Sequence, residues 1–327
     1  MYKIGIDVGG MSIKAGLVVN GEIIQRSVKE TNQSGGLENI IEDITELVND
    51  LLDKSELEIN NIDSIGIGFP GVVTSEGRVT CVNIGLENAL IIPKLEERLK
   101  GTIVRAGNDA NVAALAEYFY GSMKGYNSGV MITLGTGIGG GIVIDDKLIT
   151  GSNGVGAEIG HTMVATNYYD CNCGNNGCFE TFCSATAIIK YTQKLLKEGR
   201  ETIIRDMCNN NLENITAKMV FDAYKEGDQV AVEIINRFKK YLAMGIGNIV
   251  NFIDPAVISI GGGVSNASDI LLDGLSEQVK KHLPFKKAKI GDIVIAKFKN
   301  DAGIIGANAF RRTSQALSPL SPLVRML

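Results

Sequence analysis

The chain has no tryptophan, only two histidines (His161 and His282) and no excess of basic residues: 32 Lys and Arg stand against 37 Asp and Glu, a net charge of −5. Without clustered Lys and Arg there is no basic stripe to follow a phosphate backbone, which argues against nucleic acid as the main partner. No stretch runs to eighteen uncharged apolar residues, and the start, Met1-Tyr2-Lys3-Ile4-Gly5-Ile6-Asp7, has no apolar signal core. These lacks predict a cytoplasmic protein without a membrane partner. Evenly spread cysteines are missing as well: Cys171, Cys173 and Cys178 are crowded together, while Cys81, Cys183 and Cys208 are scattered, so a disulfide framework is not the expected use of sulfur here.

What is present is length, an apolar balance and glycine. The 327 residues allow two domains, 45% are hydrophobic and 21% charged, and 39 glycines fall in a few short runs. The opening reads as a meander: a strand from Tyr2 to Asp7, a Gly9-Gly10 turn, a strand from Ile13 to Val19, an Asn20-Gly21 hairpin turn, and a strand from Glu22 to Val28. A helix over Leu37 to Leu52 follows, with Ile40, Ile41, Ile44, Leu47, Val48 and Leu51 on one stripe. Strands are then expected over Ser64 to Gly68 and Thr102 to Ala106, and a helix over Ala110 to about Gly121.

The second half repeats the plan: a strand from Val130 to Leu134, a glycine turn from Gly135 to Gly141, a strand from Ile142 to Ile144 and an Asp145-Asp146 turn. Asp7 aligns with Thr133, 126 residues later, and the strand at Ser64 has its counterpart in Val257 to Ile260, which runs into Gly261-Gly262-Gly263. The duplicated unit predicts two similar α/β lobes with a cleft between them.

Two glycine runs are phosphate candidates: Asp7-Val8-Gly9-Gly10-Met11-Ser12-Ile13-Lys14 and Leu134-Gly135-Thr136-Gly137-Ile138-Gly139-Gly140-Gly141. Glycine lets backbone N–H groups approach anionic oxygens closely, though each run alone would equally suit a hairpin turn. Gly261-Gly262-Gly263 follows a buried strand, where an open α/β sheet receives ligands, but it would also serve close strand–helix packing. In Gly107-Asn108-Asp109-Ala110-Asn111, Asp109 stands at a helix start and on position alone could be a cap. The pattern His161-x9-Cys171-x-Cys173-Gly174-x2-Gly177-Cys178-x-Glu180 supplies three thiolates and an imidazole, a tetrahedral zinc set with no open position, so a bound zinc would be structural.

The segment Gly154-Val155-Gly156-Ala157-Glu158-Ile159-Gly160-His161, with the cysteine cluster, the Asn-Asp-Ala-Asn segment and the two glycine runs, resembles the ROK (repressor, open reading frame, kinase) family, glucokinase branch, from residue 3 to about residue 310. The resemblance implies the actin-like ATPase fold, two ribonuclease H-like lobes with a central cleft. It places a small lobe at 1–107, completed by a last helix at about 302–316, a large lobe at 108–301 with a zinc-binding loop at 161–180, and leaves a tail, 317–327, without assigned role. It further implies ATP and Mg²⁺ held by Asp7, Gly9, Gly10, Met11, Ser12, Lys14, Thr136, Gly137, Gly262 and Gly263; a hexose held by Gly71, Asn83, Asn108, Glu158, His161 and Glu180; Asp109 as general base; and structural Zn²⁺ on His161, Cys171, Cys173 and Cys178. A homo-oligomer, dimer or tetramer, is the expected state.

The reaction so implied is transfer of the γ-phosphoryl of ATP to the 6-hydroxyl of glucose, with fructose, mannose or N-acetylmannosamine as alternative acceptors. Val72 is apolar where N-acetylmannosamine kinases of the family carry a polar residue, which favours glucose. A sugar-responsive transcriptional repressor, the family's other class, would need a DNA-binding module, and the first strand begins at residue 2. Two departures stand out: the family usually has Thr where Met11 stands and Trp where Leu86 stands.

Overall fold

The computed structural model describes residues 1–32, 36–74 and 76–311. The tail at 317–327, and the end of the last helix expected to reach 316, lie outside the described residues. The first sheet is built from β1 (Tyr2–Val8), β2 (Ser12–Val19), β3 (Glu22–Glu30), β4 (Ile62–Phe69) and, after the small strands β5 (Val72–Val73), β6 (Arg78–Cys81) and β7 (Leu86–Leu90), β8 (Val104–Asn108). Its order is β3-β2-β1-β4-β8, antiparallel on the meander side and parallel on the other. The second sheet, from β9 (Ser128–Leu134), β10 (Ile138–Ile144), β11 (Lys147–Leu148), β12 (Val257–Gly261) and β13 (Asp292–Ile295), has the order β11-β10-β9-β12-β13 and the same directions.

The expected duplication therefore holds strand by strand. Asp7 pairs Lys14 and Gly68, and Thr133 pairs Gly139 and Gly261 in the equivalent places. Even the hairpins match: Asn20 and Gly21 (φ 52° and 85°) correspond to Asp145 and Asp146 (φ 48° and 60°), both left-handed as a tight two-residue turn requires. The second sheet differs from expectation at its glycines. β10 begins at Ile138, so Gly139, Gly140 and Gly141 are strand residues rather than turn residues. Side chains there would strike packed neighbours: Cβ atoms would stand 2.8 Å from Ala110 Cβ, 2.4 Å from Ile159 and 2.4 Å from Ala114 Cβ, so these glycines serve packing.

The helices are α1 (Gly36–Ser55), α2 (Ile92–Arg98), α3 (Asp109–Tyr120), α4 (Glu180–Cys183), α5 (Ala185–Lys197), α6 (Ile204–Met207), α7 (Ala217–Lys225), α8 (Gln229–Ile253), α9 (Ser268–Leu272), α10 (Leu275–Lys280) and α11 (Ala302–Ala307). The predicted stripe of α1 is buried, with Leu52 added, and packs on β2 and β3. One core lies between the first sheet and α1; a second lies between β9, β10, β12 and the helices from α4 to α10, centred on Phe179, Phe238 and Leu242. Each such side chain contributes about 1.5–3 kcal/mol by leaving water.

Two helices join the sheets. α3 packs on β9 and β10, α11 packs on β1 and β4, and the two pack on each other. The approach is backbone to backbone: a Cβ on Gly66 would stand 1.8 Å from Ala307 O, and one on Gly306 would stand 1.7 Å from Val112 O. The start of α3 and the start of α11 thereby face one cleft.

Candidate active site

The cleft is built outward from the end of β8. Asn108, in extended conformation, caps α3: its Oδ1 accepts hydrogen bonds from Ala110 N (3.0 Å) and Asn111 N (3.2 Å). Its Nδ2 donates to Gly71 O (3.1 Å) and so ties the Pro70-Gly71 turn to the helix start. That turn is held from its other side by Cys81, whose thiol donates to Pro70 O (3.2 Å). With the cap supplied by Asn108, Asp109 is the first residue of the helix proper and not its cap. Its Oδ1 accepts from Ala110 N (2.7 Å), and the carboxyl lines the cleft.

The cleft has a volume of about 760 Å³. Asp7, Lys14, Gly71 and Asn83 line it from the first sheet and its loops; Asn108 and Asp109 line it from the start of α3; Gly137, Glu158, His161 and Glu180 line it from the second half. Gly71, Asn83, Asn108, Asp109, Glu158, His161 and Glu180 thus line one cleft, as the resemblance implies. Burial raises the Asp109 carboxyl to about 6, the hydrogen bond from Ala110 opposes the rise, and the charges of Asp7 and Glu158 add to it. Burial likewise raises Asp7, partly offset by the ammonium of Lys14. Such a cluster of desolvated carboxyls favours a cation or a proton nearby.

Several expected nucleotide residues lie off this cavity. Gly9 and Ser12 close the β1–β2 turn (Gly9 N to Ser12 O, 3.0 Å), and the Met11 side chain at its tip is 85% exposed. Among this turn's residues Gly9, Gly10, Met11 and Ser12, none lines the cleft. Thr136 faces an adjoining cavity of about 140 Å³ together with Cys171, Glu180 and Lys190. Gly262 is left-handed (φ 82°), and a Cβ there would stand 2.4 Å from Leu134 O, so close packing requires its glycine; Gly263 has open space around it. Leu86, the other family departure, is 2% exposed in the first core and does not line the cleft. Conversely, Lys299, Asn300 and Gly303 line the cleft and carry no local motif that could have found them.

The ligand atoms of His161, Cys171, Cys173 and Cys178 lie within 4.8 Å of one another. Cys171 Sγ is 3.6 Å from His161 Nδ1, and Cys173 Sγ is 3.6 Å from Cys178 Sγ. A tetrahedral zinc with bonds of about 2.3 Å to sulfur and about 2.0 Å to nitrogen has ligand edges of about 3.5–3.8 Å, so the donor set fits that ion. The loop folds to make it. Gly174 and Gly177 are left-handed (φ 92° and 94°), and Cys171 N donates to Asn175 O (2.8 Å). Burial raises the Cys171 and Cys178 thiols, whereas hydrogen bonding from the Asn175 backbone lowers exposed Cys173 to about 7. Glu180 joins this loop to the cleft: Cys171 Sγ donates to its Oε1 (3.0 Å) and Ile138 N donates to its Oε2 (3.3 Å).

No helix among the described residues is long and apolar enough to cross a membrane. The model of the ROK family matches residues 3–314. The chain is 36% identical to a glucokinase of Halalkalibacterium halodurans over 310 residues, 93% of each chain. It is 34% identical to a glucokinase of Thermotoga maritima over 307 residues, 93% of this chain and 95% of that one. Among solved structures it resembles a ROK family glucokinase from Streptomyces griseus in complex with glucose and AMPPNP, with a TM-score of 0.77 and 30% identity over 94% of this chain and 98% of that chain.

Proposed function

The chain belongs to the ROK family, and on that premise we propose that it is an ATP-dependent hexose kinase that phosphorylates the 6-hydroxyl of glucose. The observation that carries the reading is Asp109: a carboxyl with its pKa near 6, at the first residue of α3 rather than at its cap, in a cleft that also presents Glu158 and His161 on one side and Asp7 and Lys14 on the other. A base titrating close to the working pH suits proton abstraction from an alcohol.

In this reading Asp109 accepts the 6-hydroxyl proton as the sugar oxygen bonds to the γ-phosphorus and the bond to the departing ADP breaks. Glu158, His161 and Glu180 accept from or donate to the sugar's other hydroxyls, and Gly71 and Asn83 bound its far side. A buried carboxylate that pairs with hydroxyls discriminates against substrates lacking them, because it is then left unpaired. Lys14 offsets phosphate charge. Asn108 positions the base and the Pro70-Gly71 turn, and the second N–H of its amide is left to reach the sugar. Closing the two halves on the sugar would exclude the water that hydrolyses ATP.

Mg²⁺ fits the Asp7 corner, since the oxygen donor there is a desolvated carboxyl whose burial outweighs the neighbouring Lys14 ammonium. Bound with the nucleotide, it would neutralise phosphate charge. Zn²⁺ fits the His161, Cys171, Cys173 and Cys178 set and would order the loop that carries Glu180. The same thiols need a reducing compartment, which supports a cytoplasmic location. The exposed rings of Phe252 and Phe285 are large apolar side chains left at the surface, as a homo-oligomer would use.

The test is an ADP-release assay with ATP across glucose, mannose, fructose, N-acetylmannosamine and N-acetylglucosamine. Glucose should give the highest kcat/KM. Preference for an N-acetylated sugar would overturn the substrate assignment, and no hexose-dependent ADP release would overturn the reading as a whole.

A further inference from the structure

Lys299 combines a left-handed backbone with a charge that has no ion-pair partner among the described residues, and it lines the cleft. Its φ of 47° puts a non-glycine residue in the left-handed region, which L-residues occupy only when their surroundings hold them there. Those surroundings are explicit. On one side, Phe298 N donates to Glu117 Oε1 (2.8 Å), and Glu117, fully buried at the end of α3, also accepts from Ser122 N and Ser122 Oγ (2.7 and 2.8 Å). On the other side, Asp301 holds Arg26 through two bonds of 2.7 and 2.9 Å. The short 3₁₀ turn Lys299–Asp301 is pinned at both ends, and its side chains at 299 and 300 line the cleft.

The charge pattern tells why. In the groove behind β2 and β3, every cation other than Lys14 has a carboxylate partner: Arg26 with Asp301, Lys29 with Asp43 and Glu46, Lys54 with Asp50. In the cleft, the ammonium groups of Lys14 and Lys299 have no hydrogen bond or ion pair among the described residues. Four residues beyond Lys299, a Cβ on Gly303 would stand 2.7 Å from Asp7 Cγ, so the segment from Lys299 to Gly303 lines the cleft next to Asp7. A polyphosphate bound on that side brings several negative charges among carboxyls already destabilised by burial, and one lysine is a small counterweight.

We infer that Lys299 is a second polyphosphate-binding cation of the cleft, held toward the phosphoryl donor by the Glu117 and Asp301 anchors at the expense of a left-handed backbone. The inference rests on the ATP-dependent reading above.

Lys299→Gly is the decisive variant, because glycine adopts the left-handed conformation without strain while the whole side chain, ammonium included, is removed. Its melting temperature should equal or exceed that of the parent. Its KM for ATP should rise about tenfold, as loss of a charge-assisted hydrogen bond does, while the KM for glucose stays within about twofold. Lys299→Arg should restore most of the ATP affinity. Inorganic tripolyphosphate should bind Lys299→Gly about tenfold more weakly in calorimetry, and this arm stands even if no hexose is turned over. An unchanged KM for ATP with unchanged tripolyphosphate affinity would overturn the inference; a parent protein without hexose-dependent ADP release would overturn the kinase reading instead.

Discussion

Gly303, in the first turn of α11, lies against the carboxyl of Asp7 with no space for a side chain between them: a Cβ there would stand 2.7 Å from Asp7 Cγ and 2.9 Å from Oδ1. The two residues are almost the whole chain apart, so the last helix sets where the first strand's acid points. Gly303→Ala should leave the helix intact, since alanine favours helix, and displace the Asp7 carboxyl instead. The expected result is a fall in kcat of at least about tenfold with a melting temperature within about 2 °C of the parent, the loss of one well-placed charged group being worth roughly 1.5–3 kcal/mol. Wild-type turnover in Gly303→Ala would remove Asp7 from the nucleotide and metal corner.

Asp109→Asn separates catalysis from stability. The amide keeps the shape but accepts no proton, so kcat should fall about 10²–10⁴-fold with glucose binding retained. Asp109 titrates near 6 in the folded protein against 3.8 ordinarily, so the folded state holds this proton more tightly than the unfolded chain. The stabilisation that proton supplies is complete below pH 3.8 and lost as pH rises through about 6. At pH 7.5 the folded ligand-free protein therefore carries a destabilising charge, on the order of 3 kcal/mol, which the asparagine variant lacks. Thermal unfolding should show Asp109→Asn melting several degrees above the parent at pH 7.5 and level with it near pH 4. A variant with more than about a tenth of wild-type kcat, or one less stable at pH 7.5, would contradict the assignment.

The same group sets the pH profile. Only the ionised carboxylate can take the hydroxyl proton, so kcat/KM for glucose should fall tenfold per pH unit below about 6 and level off above it. Moving the nearby charge moves the profile: Glu158→Gln removes one of the negative charges that raise Asp109, so the acid limb should shift to lower pH even though glucose KM rises. An acid limb that stays in place in Glu158→Gln, or one centred below about pH 5 in the parent, would mean that another group titrates.

Much of this arrangement is legible in the chain because its signals are local. Alternating apolar runs, the Asn20-Gly21 and Asp145-Asp146 turns and the stripe of α1 mark the duplicated halves, and the spacing of Cys171, Cys173 and Cys178 marks the loop that gathers them with His161. The run Gly139-Gly140-Gly141 misleads for a physical reason: glycine that admits Ala110, Ile159 and Ala114 reads the same in sequence as glycine that admits phosphate. Lys299, Asn300 and Gly303 were not legible, since their meaning depends on Glu117 and Asp7, which approach only after the chain has folded. The 25-residue α8 left a readable trace in Val230, Ile234, Phe238 and Leu242 that strand and glycine signals overshadowed. Asp109 is ambiguous alone, because a helix cap and a cleft carboxyl read the same in sequence; the hydrogen bonds of Asn108 assign the cap to Asn108.

The metal loop should govern sugar affinity as well as stability. His161 turns Nδ1 toward Cys171 and also lines the cleft, and Glu180, on the far side of the same loop, touches Cys171 through one carboxyl oxygen and Ile138 N through the other. Both of these cleft-lining residues therefore take their orientation from the cysteine cluster, as ligands and their outer partners would around a structural metal. Cys173 is the exposed member, so Cys173→Ser removes a ligand with little change in core packing. Zinc content should drop well below one per chain, the melting temperature should fall by several degrees and glucose KM should rise about tenfold or more, a ligand-shell loss of the usual size. ATP KM should change less, because the cluster reaches the Gly135-to-Gly137 turn through Glu180, whose Oε2 accepts from Ile138 N, rather than through a cysteine or His161 itself. Elemental analysis of wild-type protein purified without chelators decides the premise: about one zinc per chain is expected, and fully active protein with clearly less would reduce the cluster to ordinary thiols.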